Sequence, residues 1–147
     1  MLGVLLANFY ERDLRKLIEE VNAFKSEENL WKITGSIKNS AGNLTLHLTG
    51  GLNHFVGATL AHTGYVRNRD QEFTKKGISR KEMVTELEKL IPMVKSTLTN
   101  LTDAQMDSEY PLMYDDARQS HAYVLIRLLA HLGYHLGQIN YLRRFLE

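Results

Sequence analysis

The chain has no cysteine among its 147 residues. That excludes a disulfide framework, a thiolate metal site and a cysteine nucleophile. It also lacks an excess of either charge, since 18 basic side chains stand against 17 acidic ones for a formal net charge of +1. No general field draws it to nucleic acid or to an anionic membrane, and neither is expected as a partner. No stretch approaches the roughly 18 continuous apolar residues of a membrane span. The opening Met1-Leu2-Gly3-Val4-Leu5-Leu6-Ala7 has no basic n-region, and its apolar run breaks at Asn8 before Glu11, Arg12 and Asp13. A cytoplasmic protein is expected, so the Asn43-Leu44-Thr45 and Asn100-Leu101-Thr102 sequons carry no weight. Several catalytic motifs are missing as well. There is no His-Glu-x-x-His, Glu-x-x-His, Gly-x-Ser-x-Gly elbow, Walker loop or dinucleotide fingerprint.

What is present is helical periodicity, in a length that suits one domain over residues 1–147. Apolar residues recur at helical spacing in four blocks. The first carries Leu2, Leu5, Leu6, Phe9, Leu14, Leu17, Ile18, Val21 and Phe24 on one stripe. The second runs from about Asn39 or Ser40 to about Ala61, through Leu44, His47, Leu48, Leu52, Phe55 and Val56. Its glycines (Gly50, Gly51, Gly57) weaken helicity but permit a neighbour to come close. The third starts at Ser79, whose spacing to Glu82 predicts a capping box, with Ile78 and Met83 as a hydrophobic staple. Met83, Leu87, Leu90, Ile91, Val94, Leu98 and Leu101 mark its buried face, and Pro92 predicts a kink. The fourth begins at about Arg118 or Ser120 and runs to the C-terminus. Charged or irregular connections are expected around 25–38, 64–77 and 102–117. Four amphipathic helices predict an all-α four-helix bundle.

The fourth block holds the most informative stretch, His131-Leu132-Gly133-Tyr134-His135-Leu136-Gly137-Gln138-Ile139-Asn140. Histidines four residues apart share a helical face and can reach one metal ion. Val124, Leu128 and Leu142 fall on the same stripe, so the pair is expected to point into the core. Buried neutral imidazoles need partners, and a metal supplies them. His121 lies about 15 Å away along the helix and cannot share that ion. A third ligand must come from another helix. His47 and His54 are about 10 Å apart on the second helix, so only one of them can join. The apolar neighbours of His47 favour it over His54, and over His62 at the helix end.

At His131, His135, Gly137 and Gln138 the chain carries His-x-x-x-His-x-Gly-Gln, which resembles the DinB-like superfamily of small metal-binding bundles. Asn39 to Leu48 resembles the second-helix segment of that superfamily. Tyr65 to Phe73 is similar to the following loop in one bacterial subgroup, and Leu30-Trp31 fits the same subgroup. The resemblance implies a bundle running up-down-down-up, usually a homodimer. It implies a metal held by His47, His131 and His135, and in some relatives a metal-dependent transfer or isomerisation using a low-molecular-weight thiol.

Three imidazoles leave one to three coordination positions open on a divalent ion. Zinc, nickel, iron or copper suits such a set, and the expected partner is a thiol or another small-molecule substrate. Gln138 is expected to contact a ligand or orient an imidazole. Arg67, Arg69 and Arg127 are candidates for holding a carboxylate of the thiol, against the alternative of pairing with neighbours such as Asp70 and Glu72. Tyr134 and Tyr141 are expected either to line the pocket or to sit in the core. The rival to an enzyme is a non-catalytic dimeric metal- or ligand-binding stress-response protein. A third reading has no metal, with the histidines hydrogen-bonded in a helical interaction module.

Overall fold

Serine hydroxyls start three of the four long helices where the sequence places them. The computed structural model describes residues 1–147, and its only β features are two isolated bridges. Helix α1 spans Leu2–Ala23 and is followed by a 3-10 turn at Glu27–Trp31. Helix α2 spans Ala41–Leu52 and continues into a π-helical segment at Asn53–Ala58. A short α3 (Arg69–Thr74), the long α4 (Arg80–Thr99), a short α5 (Asp103–Asp107) and α6 (His121–Leu146) complete the chain. The Ser40, Ser79 and Ser120 hydroxyls each accept from the backbone N–H three residues on, all at 3.1 Å. Each satisfies one donor that the first turn of a helix leaves unpaired. The box expected at Ser79 is half made, because Glu82 does not return the bond. A complete capping box closes instead at Thr102 and Gln105, in front of α5. Pro92 lies inside α4 without ending it.

Contacts between helices set the directions. Tyr10 of α1 donates its buried hydroxyl to the Leu125 carbonyl of α6 at 2.6 Å. Further along both helices, Glu20 accepts from Asn140 at 2.7 Å and Arg143 at 3.0 Å, so α1 and α6 run parallel. Lys95 pairs with Glu11, and Arg80 reaches the Phe24 carbonyl at 2.5 Å, so α4 runs against α1. Leu44 and Leu142 line one cavity and Leu52 and Leu128 another, so α2 runs against α6. The order is up-down-down-up.

The core is one apolar cluster that includes Leu14, Leu17, Leu48, Leu87, Leu98, Leu125 and Leu132. Leu5 and Phe9, counted on the first stripe, are instead exposed at 52% and 36%. They lie one turn apart at the edge of a stripe wider than its contact, and Tyr10 takes the inward place. Two glycines of α2 mark close approaches: a Cβ on Gly42 would lie 2.7 Å from the Trp31 ring, and one on Gly50 would lie 2.0 Å from Glu72 Oε2. Where α2 widens to π geometry, the Phe55 carbonyl accepts from the Tyr110 hydroxyl at 2.6 Å. No helix is long and apolar enough to cross a membrane.

Candidate metal centre

The site forms where α2, α3 and α6 meet. The 64–77 connection, expected to be a loop, contains α3, capped by the Asn68 side chain accepting from Gln71 N–H. Asn43 of α2 is fully buried and fastens this helix, donating to the Glu72 carbonyl at 2.9 Å and the Lys75 carbonyl at 2.8 Å. Lys76 and the Ser40 hydroxyl donate to the Asn43 side-chain oxygen. The result is that Glu72 enters a slot left by the missing Cβ of Gly50, only 6% exposed.

A buried carboxylate needs donors. Arg67 supplies two, Nε to Oε2 and Nη2 to Oε1, both at 2.9 Å. His47 supplies the third, its Nδ1 3.0 Å from Oε1. A carboxylate held by an arginine only accepts, so His47 Nδ1 carries the proton and Nε2 presents a lone pair. On α6, His135 Nδ1 lies 2.7 Å from Gln138 Oε1, which sets the same tautomer there. His131 has no such tether, since both of its contacts run from Nε2.

The three Nε2 atoms converge. His131 Nε2 lies 3.1 Å from His47 Nε2 and 3.1 Å from His135 Nε2. One ligand nitrogen from each ring falls within 4.8 Å of the others. With His47 and His135 both presenting lone pairs, a proton on His131 satisfies one of them and leaves the other facing a nitrogen. A cation bound by all three removes that conflict. Nitrogens about 2.05 Å from one ion stand about 3.3 Å apart in tetrahedral geometry and about 2.9 Å apart across an octahedral face. The two separations that involve His131, 3.1 Å each, lie between these values and the third is within 4.8 Å, so the three histidines could hold a metal ion.

Electrostatics favours the ligating form. Burial pushes His131 down to about 4, with His135 and His47 adding to the shift. Burial also lowers His47, although the Glu72 carboxylate opposes it. Neutral imidazole is the form that binds a metal.

Cavities approach the cluster on two sides. One, of about 210 Å³, is lined by His47, His131, Phe55, Arg67, Arg69 and Tyr114, among others. The other, of about 560 Å³, has His135 and Gln138 in its wall, beneath Tyr134 and Tyr141. The histidine pair is therefore half-buried and not enclosed in the core, while Val124, Leu128 and Leu142 of its stripe are buried as expected.

The other candidates lie elsewhere. His54 sits in the π segment with its ring against Phe55, and His62 is exposed at a backbone φ of 54°. His121 caps a different corner, 3.0 Å from the Ser108 carbonyl. Arg67 is committed to Glu72, and Arg127 pairs with Asp115 at 2.9 Å. Arg69 has no carboxylate partner and lies over the Phe73 ring. Sequence reasoning missed Glu72 as a partner of His47. The only signal was Asn68 ahead of Arg69-Asp70-Gln71-Glu72, a helix start that could have put Glu72 on a defined face.

Among curated proteins none matches this chain. A solved structure of a DinB-like protein, YjoA from Bacillus subtilis, is similar over 99% of this chain and 92% of its own, with a TM-score of 0.67 and 16% identity. At that identity the likeness shows the fold. The model of the DUF1572 family, described as proteins of unknown function, matches residues 4–147. The family model covers nearly the whole chain, and the chain belongs to the DUF1572 family, with the fold of a DinB-like protein.

Proposed function

We propose that His47, His131 and His135 bind one divalent transition ion, zinc, nickel or iron, with positions left for a small ligand. The observation that carries this reading is the convergence of three Nε2 atoms, two of them with tautomers set from outside by Glu72 and Gln138. The partial burial of His131 and His135 leaves access from the flanking cavities. The reaction we propose is transfer of a low-molecular-weight thiol to an electrophile. The resemblance to thiol-using DinB-like relatives supports it, as does the open side of the site. A bound ion would supply the positive charge that favours deprotonation of a ligating thiol near neutral pH. The chain's own residues orient the ligands and limit water on the Glu72 side. The reading includes a homodimer, for which exposed Leu5 and Phe9 on α1 offer apolar surface.

One observation favours a non-catalytic metal- or ligand-binding protein instead. Both oxygens of Glu72 are already taken, and no other carboxylate lines either cavity at the cluster. No carboxylate is therefore placed as a base beside the cluster.

The first experiment is elemental analysis of tag-free protein beside His135→Ala. Near one ion per chain, lost in the variant, supports the centre. No ion after reconstitution overturns it. Thiol consumption with 1-chloro-2,4-dinitrobenzene, measured in metal-loaded and metal-stripped protein, then tests the reaction. Equal rates in the two forms overturn the transferase reading.

A further inference from the structure

The three most exposed aromatic side chains of the molecule border one cavity. Tyr134, Tyr141 and Phe145 are 66%, 74% and 78% exposed, above every other aromatic residue. Their spacing of seven and four residues puts them along one side of α6, next to His135, Gln138 and Leu142. The opposite wall comes from the segment before α2, with Ile37, Lys38 and Asn39, and from Leu44 of α2 itself. The half-open space is about 560 Å³, the size of a site for a small organic molecule. His135 and Gln138 belong to its wall, so the cavity is continuous with the metal centre and not a separate groove.

Exposed aromatic surface has a cost in water, and three such rings around one concavity mark a binding surface. The one charged side chain in its wall is a cation, Lys38. No carboxylate lines the cavity; Lys38 lies in its rim and makes no ion pair. Arg144 stacks 5.6 Å from the Tyr141 ring centre and also lacks a carboxylate partner. Apolar walls, unpaired cations and a metal-ligating histidine at the base define the complementary ligand.

We propose that this cavity is the substrate site and that it takes a small organic anion with an aromatic body, its polar end directed at the His135 side. The proposal deepens the metal-centre reading and rests on it for the direction of the ligand, but the aromatic contacts do not require the ion.

The test uses 2-naphthoate and acetate as probes, titrated calorimetrically into zinc-loaded protein, metal-stripped protein and the variants Tyr141→Ala, Phe145→Ala and Lys38→Met. All three positions are exposed, so the variants should fold. Naphthoate should bind at least about tenfold more tightly than acetate, and each aromatic truncation should remove about tenfold of naphthoate affinity while leaving acetate unchanged. Lys38→Met should weaken naphthoate by a smaller factor. Metal-stripped protein should retain weaker naphthoate binding that is still sensitive to Phe145→Ala. Persistence of that sensitivity in a protein that takes up no zinc would keep the cavity assignment and remove the metal centre. Equal affinities for the two probes, or variants that leave naphthoate unchanged, would overturn the cavity assignment. So would a dimer that dissociates on Phe145→Ala with naphthoate binding intact, because the aromatics would then belong to a contact between copies.

Discussion

Helices α4 and α2 run in the same direction in the same bundle and are buried in opposite ways. Every buried residue of α4 is apolar: Met83, Leu87, Leu90, Ile91, Val94 and Leu98. Helix α2 buries Asn43, Thr45 and His47 beside its leucines, together with Gly42, Gly50 and Gly51. Apart from Glu20, the buried polar side chains of the molecule lie on α2, at its cap or on α3 against it. An apolar face stabilises a bundle without specifying more than proximity. A buried polar face tolerates only an arrangement in which each donor and acceptor is matched, and so it fixes positions. Helix α4 holds the fold together, whereas α2 holds a histidine in place.

Leu87→Ala gives the largest expected change in this contrast. Leu87 is fully buried, and the substitution should cost about 2–5 kcal/mol of unfolding free energy in a denaturant titration. The folded fraction should still bind metal with unchanged affinity. A matching loss of affinity would mean that the α4 side also shapes the site.

Glu72→Gln attacks the other helix. The amide offers one accepting oxygen to the three donors of Arg67 and His47 and turns an NH2 towards one of them, so the hold on the His47 tautomer weakens. Metal affinity, followed by competition with a chromophoric chelator, should fall about 10–100-fold. An unchanged affinity would reduce the Glu72 contact to fold maintenance. Gly50→Ala should act in the same direction and more weakly, since its Cβ would displace Glu72 from 2.0 Å while leaving the carboxylate present. The gain in helix propensity, about 1 kcal/mol, partly offsets the strain on stability but not on metal binding.

The metal-free protein should also carry a pH signature. The folded pKa of His131 is lowered to about 4, against an unfolded value of about 6.5. Below 6.5 the unfolded chain therefore binds more protons than the folded one, and stability falls as pH drops towards 4. Above 6.5 His131 contributes no slope. Thermal melts of stripped wild-type protein and His131→Ala should diverge across that interval, and parallel curves would refute the shift. Ser79→Ala should have the smallest effect, about 1 kcal/mol, with no change at the metal.

Much of the bundle is legible in the chain because its signals are local. Ser40, Ser79 and Ser120 mark helix starts by bonding to their own next turn, and the 3.6-residue repeat of α4 depends only on neighbours along the chain. The His131 and His135 spacing is of the same kind. So is the bond that His135 Nδ1 donates to Gln138 Oε1, between side chains three residues apart. Whether Leu5 and Phe9 are covered could not be read from periodicity, because a stripe gives a direction and not the width of its contact.

What the tertiary structure decided is register across helices. His47 and His54 sit two turns apart on helical backbone, and only the packing of α2 against α6 brings His47 Nε2 to 3.1 Å from His131. Glu72 reaches His47 across 25 residues because Asn43 docks α3 and Gly50 leaves space for the carboxylate. The aromatic cavity depends on the segment before α2 folding over α6. Helical period, capping and ligand spacing are properties of a few consecutive residues, and the sequence by itself determined them. The apolar neighbours of His47 already favoured it in the sequence, whereas which carboxylate orients it and where the site opens depend on contacts between distant segments, and only the packed bundle decided those.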